Sequence, residues 1–344
     1  MTDFSRSYSA RWRVYRVDRN TWADSYVMDG FLSADVSTSS GDMLQSGSLT
    51  FQSEPYAPFP EGYYRLVMYA TQDGVTDRHD IATLYCVSTG GKVAKGSDLR
   101  NVTGMSVLHC ANTRSVEDGT TVTKGSDGVR FVGRLLAGVL DAPVETVGSF
   151  VVSEHFTFAI GTSVLEAATT VLNSGGWCMQ IAGDGTVTLR PMPTEPDLTL
   201  SRDGSGLLMP EESYELDTSS VPNRYMATDG IYVGVAINDD PASSVSTRNR
   251  GFIVDAEPMV DTSPVLIGGE TMDGYCNRKL RELSVVYNSR SYEREYAEGV
   301  FPNSIIRREY DSGTVDMRVD SQTIRCGPGV IVSERSLVGV SVWQ

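Results

Sequence analysis

Short runs with the apolar pattern of strands fill the first 110 positions. Residues 47–53 alternate apolar and polar side chains, and the runs 63–70 and 81–87 are rich in aromatic and aliphatic residues that favour strands. A two-residue period is typical of a strand that buries one face. Between two of these runs stand Asp73 and Gly74, a pair that favours a tight turn. The strands are predicted at 11–18, 47–53, 63–70 and 81–87.

Helical spacing replaces alternation in the middle of the chain. Apolar residues recur every three or four positions over 129–140, with Ser126 or Asp127 as the N-cap. A second helix is predicted to begin at the N-cap Ser163 and to end at the two glycines 175–176.

Strand patterns return after the second helix. One helix interrupts them at about 271–283, with acidic residues at its start and basic residues near its end, as the helix dipole favours. The strands are predicted at 177–181, 186–190, 225–228, 231–237, 251–254, 291–297, 305–310, 314–319, 329–333 and 337–343.

These patterns predict a mainly β fold with an α+β insert. The first β domain is expected at 1–118, with 196–220 as a segment that could complete it. The insert covers 119–195, and the second β domain covers 196–344 and includes the helix at 271–283. Short strands joined by Gly, Pro and Asp turns favour a barrel or a sandwich for the first β domain.

The charge of the chain argues against a dedicated nucleic-acid binder. It carries 29 Lys+Arg against 44 Asp+Glu, a net charge of −15, which repels phosphates. The first residues have no basic segment followed by an apolar stretch, and no window reaches the roughly 18 apolar residues that span a bilayer. We therefore expect synthesis in a cytoplasm and no membrane span.

Cysteines and histidines are too scattered to indicate a metal or redox site. No C-x-x-C or H-E-x-x-H occurs, and neither does a P-loop or a G-x-S-x-G elbow. The cysteines are interpreted as buried, reduced thiols: Cys86, Cys110, Cys178, Cys276 and Cys326. Of the three histidines, His79, His109 and His155, the first is placed in a polar loop, solvated or hydrogen-bonded.

Two further groups of residues are candidates for catalysis or sugar binding. The acidic pairs Glu211-Glu212 and Asp239-Asp240 could serve a glycosidase, but a solvated surface is the favoured interpretation. Four aromatic residues could stack on sugars, but their alternation favours core or interface packing: Tyr63, Tyr64, Tyr292 and Tyr296. The sequence therefore predicts no enzyme, no cofactor, and no catalytic, cofactor-binding or metal-binding residue.

The order of several local strings resembles the hub protein at the tip of bacteriophage tails. The family includes the baseplate hub of T-even contractile phages and the N-terminal hub region of tail-associated proteins in long non-contractile tails. The resemblance covers roughly residues 120–344. Its strings lie at 161–168, 176–177, 185–189, 221–225, 238–241, 250–253, 279–284, 292–296, 318–322 and 327–330.

This resemblance implies two β-barrel domains like those of tail-tube subunits, plus a small α/β domain. It implies a structural virion protein at the tail tip, a homotrimer whose six barrels adapt the six-fold tube to a three-fold tip. Its expected partners are other tail proteins: the distal tail protein, the tape measure protein, and tip or fibre proteins. Genome DNA would pass through during ejection without being specifically bound.

Two alternatives to the hub remain open at this stage. One is a carbohydrate- or receptor-binding tail module. The other, ranked below it, is a cell-wall glycosidase. Many tip proteins carry a peptidoglycan-cleaving or fibre-forming extension, and we expect none after residue 344, so a separate protein would supply lysis.

Overall fold

The computed structural model describes most of the chain and divides it into two compact units. Unit 1 comprises Met1–Glu212 and Ser291–Ser336, and unit 2 comprises Ser213–Arg290 and Leu337–Gln344. The described residues are 2–40, 45–53, 59–94, 97–117, 119–201, 207–216, 218–262, 264, 266, 270–327 and 329–341.

Unit 1 is built on a large sheet. Its first strands are β1 (Ser9–Val17), β2 (Asp24–Met28), β3 (Phe31–Ser39), β4 (Gln45–Ser53), β5 (Gly62–Gln72), β6 (Val75–Ala94) and β7 (Ser97–Ser106). Its later strands are β13 (Leu198–Leu200), β18 (Ile305–Tyr310) and β19 (Gly313–Cys326). Neighbouring strands run in the order β2-β1-β5-β6-β7-β4-β3-β19, with β18 paired to β19 and β13 to β18.

The turn between β5 and β6 follows from two residues. Asp73 and Gly74 both have positive φ, 51° and 81°, which is the left-handed pair that a two-residue hairpin requires. Gln72 consequently lies opposite Val75, and the ladder continues up β6. The turn predicted here is confirmed.

A helical region of unit 1 lies between β7 and β13. Its helices are α1 (His109–Thr113), α2 (Gly128–Ala137) and α3 (Val164–Ser174). Its strands are β8 (Thr121–Val122), β9 (Val144–Thr146), β10 (Phe156–Thr157), β11 (Trp177–Ile181) and β12 (Val187–Pro191). Asp127 caps α2 and Ser163 caps α3, each accepting a backbone N–H three residues later, as the sequence predicted. The parallel strand β9 beside β12 was not predicted.

Unit 2 is small. It contains β15 (Arg224–Thr228), β16 (Val233–Ile237), α4 (Thr247–Arg250) and α5 (Met272–Leu283). The limits of the units fall inside β14 (Leu208–Leu216), β17 (Val285–Glu295) and β20 (Val330–Ser341). The helix predicted at 271–283 is confirmed as α5, with Thr271 as its N-cap.

The strand predicted at 251–254 is wrong. Residues 247–250 form the short helix α4, capped by Ser246, and Gly251 ends it with φ of 74°. That left-handed residue closes the helix and turns the chain, so the apolar residues after it join no strand.

The fold class is confirmed as mainly β with few helices. The division into two barrels and an insert at 1–118, 119–195 and 196–344 stays a prediction. All five cysteines are free, and four are buried, with Cys110 half-buried. Burial raises the pKa of the Cys86 thiol to about 12, which keeps it protonated and inert. No helix among the described residues has the length and apolarity needed to cross a membrane.

Candidate protein interface

His79 is a buried strand residue rather than part of a loop. It lies in β6 with 4% exposure, its Nδ1 3.2 Å from a Glu298 carboxylate oxygen and its Nε2 3.5 Å from the Thr2 hydroxyl. The predicted hydrogen bonding is confirmed and the predicted loop is wrong. The tight turn at 73–74 starts β6 four residues earlier, so His79 pairs with Met68.

The two acidic pairs have different environments. Glu212 lies in β14, its carboxylate 3.0 Å from Arg308 Nη2 and also 3.0 Å from the Tyr310 hydroxyl that donates to it. Its side chain is 16% exposed, so the solvated surface predicted for it is wrong. The side chain of Asp239 is 69% exposed, as predicted. The structure thus gives Glu212 a structural ion pair.

Three of the four aromatic candidates are core residues, and the fourth, Tyr296, is half-buried and packs against the cluster that contains Tyr64. Tyr63, Tyr64 and Tyr292 are at most 5% exposed, which confirms the packing role and leaves their rings no free face for a sugar. Among the described residues, no group of three or more His, Cys, Asp or Glu side chains is placed to hold a metal ion. The absence of catalytic, cofactor-binding and metal-binding residues stays a prediction.

Unit 2 builds a small core between one hairpin and one helix. β15 and β16 pair antiparallel, and α5 packs on one face of them over Ala227 and Ala236. Gly234 permits this approach, because a Cβ there would lie 2.5 Å from Met272 Cγ. The Val235 N–H donates to Asp273 Oδ1 at 3.1 Å, which fixes the first turn of the helix on the strand.

A shared carboxylate joins the core of unit 2 to a neighbouring segment. The hydroxyls of Tyr225 and Tyr275 both donate to Asp261 Oδ2, at 2.9 and 2.5 Å. Burial, together with these hydrogen bonds, raises the pKa of both tyrosines, so both stay protonated donors. Arg224 holds Asp255 with two hydrogen bonds of 2.5 and 2.8 Å, and this bidentate pair fixes the same segment beside β15.

The opposite face of β16 is apolar and uncovered. Gly234 and Ala236 point to the core, whereas Val233, Val235 and Ile237 are 68%, 41% and 46% exposed. We call these three exposed side chains the outer row. An antiparallel sheet with one solvated face places polar residues outward. The outer row therefore has the composition of a strand that is covered on both faces.

Further apolar side chains of unit 2 are exposed near the outer row in sequence. Fourteen of the twenty-two exposed large hydrophobic residues among the described residues belong to unit 2. Those flanking β16 and following α4 are Ile231, Tyr232, Phe252, Ile253, Met259 and Val260. A contiguous exposed apolar patch is typical of a protein–protein interface. The outer row meets that description, because its three side chains follow one another along one face of β16.

An unbroken apolar run in the sequence indicates this exposed surface. Residues 231–237 are apolar or glycine at every position, without the alternation of a half-buried strand. A continuous apolar run is the pattern of a strand buried on both sides. Among the described residues, helix α5 covers one side of β16 and the side chains of Val233, Val235 and Ile237 on the other side are exposed.

Comparison with known proteins links this fold to phage tails. No protein-family model matches the chain, and no curated protein matches it by sequence. Among solved structures it is similar to a tail protein from Neisseria meningitidis, at 14% identity and TM-score 0.62, covering 96% of this chain and 97% of that one. It is also similar to the 43 kDa tail protein of prophage MuSo2 from Shewanella oneidensis, at 10% identity and TM-score 0.63, covering 96% and 98%.

A third similarity concerns a Francisella PdpA–VgrG complex. The identity is 8% and the TM-score 0.57, and the match covers 97% of this chain and 53% of that one. At such identities the likeness concerns the fold. At that level, the resemblance to tail hub proteins predicted from the sequence is confirmed.

Proposed function

We propose that the protein is a structural component of a phage tail, a trimeric hub at the distal end of the tail tube. In this role two β domains per chain form a pseudo-six-fold ring, which adapts the six-fold tube to a three-fold tip. Other tip or receptor-binding proteins are anchored on it. Its location is the virion tail tip, after synthesis in the host cytoplasm.

The observation that carries this proposal is the fold likeness over nearly the whole length of two tail proteins. A likeness that spans both chains from end to end concerns the arrangement of elements rather than one common motif. The uncovered outer row of unit 2 supports the same proposal, because a subunit of a closed ring has an apolar surface that a neighbouring copy covers.

The charge of the chain is compatible with this role. Three chains of −15 each give −45 for the trimer. A lumen with that sign would repel DNA phosphates and let the genome pass without adhering. The distal tail protein, the tape measure protein and tip or fibre proteins are the partners expected of such a hub.

The oligomeric state tests this proposal. Light scattering on the full chain at micromolar concentration is expected to give the mass of three chains of 37.4 kDa, about 112 kDa. Electron micrographs of the same sample are expected to show a ring. A monomer without rings would overturn the hub.

A matched pair of variants tests the outer row separately. Val233→Asp places a charge on the outer row, at a side chain that is 68% exposed and so not needed for the monomer fold. Val75→Asp places the same charge on a residue of unit 1 that is 60% exposed. Dissociation by Val233→Asp alone is expected, because a charge buried in an interface without a partner is costly. Equal behaviour of the two variants would exclude the outer row from the interface.

A further inference from the structure

The two strands that end the series of paired strands carry opposite charges. Beyond β19 the series continues as β20, β17 and β14, so that β2 is its last strand on one side and β14 on the other. Among the described residues, β2 pairs only with β1, and β14 pairs only with β17. An edge strand is a natural place for another chain to dock.

Arginines and tyrosines gather on the strands beside β2. Arg11 and Arg13 of β1 share one face with Tyr15, because successive side chains of a strand alternate between faces. Tyr69 of β5 lies opposite Arg11, and Arg78 of β6 lies opposite Tyr69, so both belong to the same face. We call these five residues the basic end.

Stacking holds the basic end in place. The guanidinium carbon of Arg13 is 5.8 Å from the centre of the Tyr69 ring, and that of Arg78 is 5.5 Å from the centre of the Tyr15 ring. These are distances of cation–π contacts. The two tyrosine hydroxyls are 2.7 Å apart and share a hydrogen bond. A guanidinium held on a ring has already lost part of its freedom, so a carboxylate that binds it costs less entropy.

Two arginines of the basic end keep their charge available. Arg78 is paired with Asp80 at 2.7 Å and with Asp24 at 2.6 Å. Within the described part of the chain, no ion pair involves Arg11 or Arg13, and the side chain of Arg11 is exposed. The basic end therefore offers an unpaired positive charge on a chain whose net charge is −15.

Tyr15 responds to that positive charge. Burial acts to raise its pKa, but its hydrogen bonds with Tyr69 and Arg13 and the charges of Arg13 and Arg78 lower the pKa overall. A positive potential has this effect because it favours the phenolate. The same potential favours the carboxylates of a partner.

Strand β14 carries charge of the opposite sign. Glu211 and Glu215 are exposed and lie on one face, whereas Glu212, whose ion pair is described above, points to the other. No ion pair involves Glu211 or Glu215 within the part of the chain that the structure describes. We call these two residues the acidic end. Both edge strands also offer apolar contact, since Tyr214 of β14 is 77% exposed and Val27 of β2 is 37% exposed.

We propose that the basic end of one chain docks on the acidic end of a second copy of the chain. This inference rests on the proposed function, because it identifies surfaces that join neighbouring subunits of the ring. The occupant is a second copy because this chain itself carries both complementary surfaces, and because copies joined through like ends would repel each other. A chain that meets one neighbour with its basic end and another with its acidic end has the head-to-tail arrangement of a cyclic oligomer.

Exchange of the two charges tests this contact. Arg11→Glu and Glu215→Arg each place like charges against each other. Each is expected to raise the concentration at which half of the chains are assembled by about tenfold or more, because like charges across an interface repel. The double variant Arg11→Glu/Glu215→Arg restores opposite charges and is expected to recover most of the loss. Sedimentation velocity of the full chain over a range of concentrations at low salt measures the assembly.

Matched controls separate the contact from a general effect of charge. Arg130→Glu and Glu154→Arg make the same changes at exposed residues of unit 1 that belong to neither end, and both are expected to assemble like the unaltered chain. All four substituted side chains are exposed, so the thermal midpoints of the dilute variants are expected to match. Recovery by the double variant is a result that misfolding does not produce.

The outcomes distinguish this contact from the hub itself. A trimer of the unaltered chain that Arg11→Glu and Arg130→Glu leave equally stable would overturn the contact and leave the hub standing. Weakening by both single variants without recovery in the double variant would overturn it as well. An assembly of another size that shows weakening and recovery would support the contact and overturn the trimeric hub. A monomer under all conditions would overturn both.

Discussion

Unit 1 and unit 2 use their apolar residues in different ways. Unit 1 buries them in two clusters of twenty-four and nineteen described residues and exposes eight large ones. The main cluster of unit 2 has seven buried residues, three of them alanines, while fourteen large apolar side chains are exposed. Since burial of apolar surface is the main favourable contribution to folding, unit 1 has the core of an independent domain. Unit 2 exposes more large apolar side chains than it buries in its main cluster.

The core of unit 1 also tolerates buried charge. Arg294 and Glu334 form an ion pair with 2.7 Å between Nη2 and Oε2, and their side chains are 1% and 0% exposed. The hydroxyls of Tyr292 and Ser336 donate to the same carboxylate, and burial raises the pKa of Tyr292 well above its usual value. Only a well-packed surrounding structure offsets the desolvation of such a pair.

The largest expected effect is that of breaking this pair. Glu334→Gln leaves the Arg294 guanidinium buried without a counter-charge and is expected to lower the free energy of unfolding of unit 1 by about 3–5 kcal/mol. Urea unfolding followed by tryptophan fluorescence measures the change, since three of the four tryptophans, Trp12, Trp22 and Trp177, belong to unit 1.

Two controls accompany that substitution. Asp316→Asn breaks the exposed pair with Arg307, whose side chains are 45% and 41% exposed, and should cost less than about 1 kcal/mol. The double variant Arg294→Met/Glu334→Leu removes both charges and should cost less than Glu334→Gln. Equal losses for Asp316→Asn and Glu334→Gln would mean that burial does not distinguish the two pairs.

Matched leucines test the difference between the cores. Leu280 in α5 and Leu136 in α2 are both fully buried, and either substitution by alanine is expected to cost about 2–5 kcal/mol. Unit 2 cannot lose that much and remain folded, because its main cluster has only seven members. Hydrogen exchange is therefore expected to show unit 2 of isolated Leu280→Ala chains open while unit 1 stays protected.

In Leu136→Ala the same measurement should show both units folded, with faster exchange in unit 1. If Leu280→Ala left unit 2 fully protected in the isolated chain, its small core would be sufficient without a partner.

Elements that depend on a few neighbouring residues were predictable from the sequence. The turn at Asp73-Gly74, the cap at Ser163 and the helix α5 depend on a few neighbouring residues, and all three are confirmed. Strand β9 has three residues and pairs in parallel with β12, forty-three positions further along the chain, so no local pattern indicates it.

The environments of several polar and apolar side chains were not predicted, because they depend on residues that are distant in sequence and adjacent in the fold. Glu212 was predicted to be solvated because the approach of Arg308, ninety-six positions away, leaves no trace in the sequence. Arg78 stacks on Tyr15 only because β1, β5 and β6 align the two side chains. The outer row of β16 was visible as an apolar run, but which face α5 covers is a tertiary fact.

Acid is expected to produce the smallest effect, and to affect unit 2 first. The hydrogen bonds from Arg224 lower the pKa of Asp255, so this carboxylate contributes stability above its unfolded-state value of about 3.9. That contribution is lost as the pH falls through the folded-state pKa, which lies below that value.

In unit 1, Arg307 lowers the pKa of Asp316 in the same way, but a ladder of six residue pairs also joins β18 and β19 there. Asp255 instead supports a segment that contacts β15 through isolated bridges. Protection factors for 252–261 are therefore expected to fall between about pH 4 and about pH 2 before those of 305–318, and Asp255→Asn should remove the difference between the two pH values. Earlier loss of protection at 305–318 would show that unit 2 does not depend on this pair.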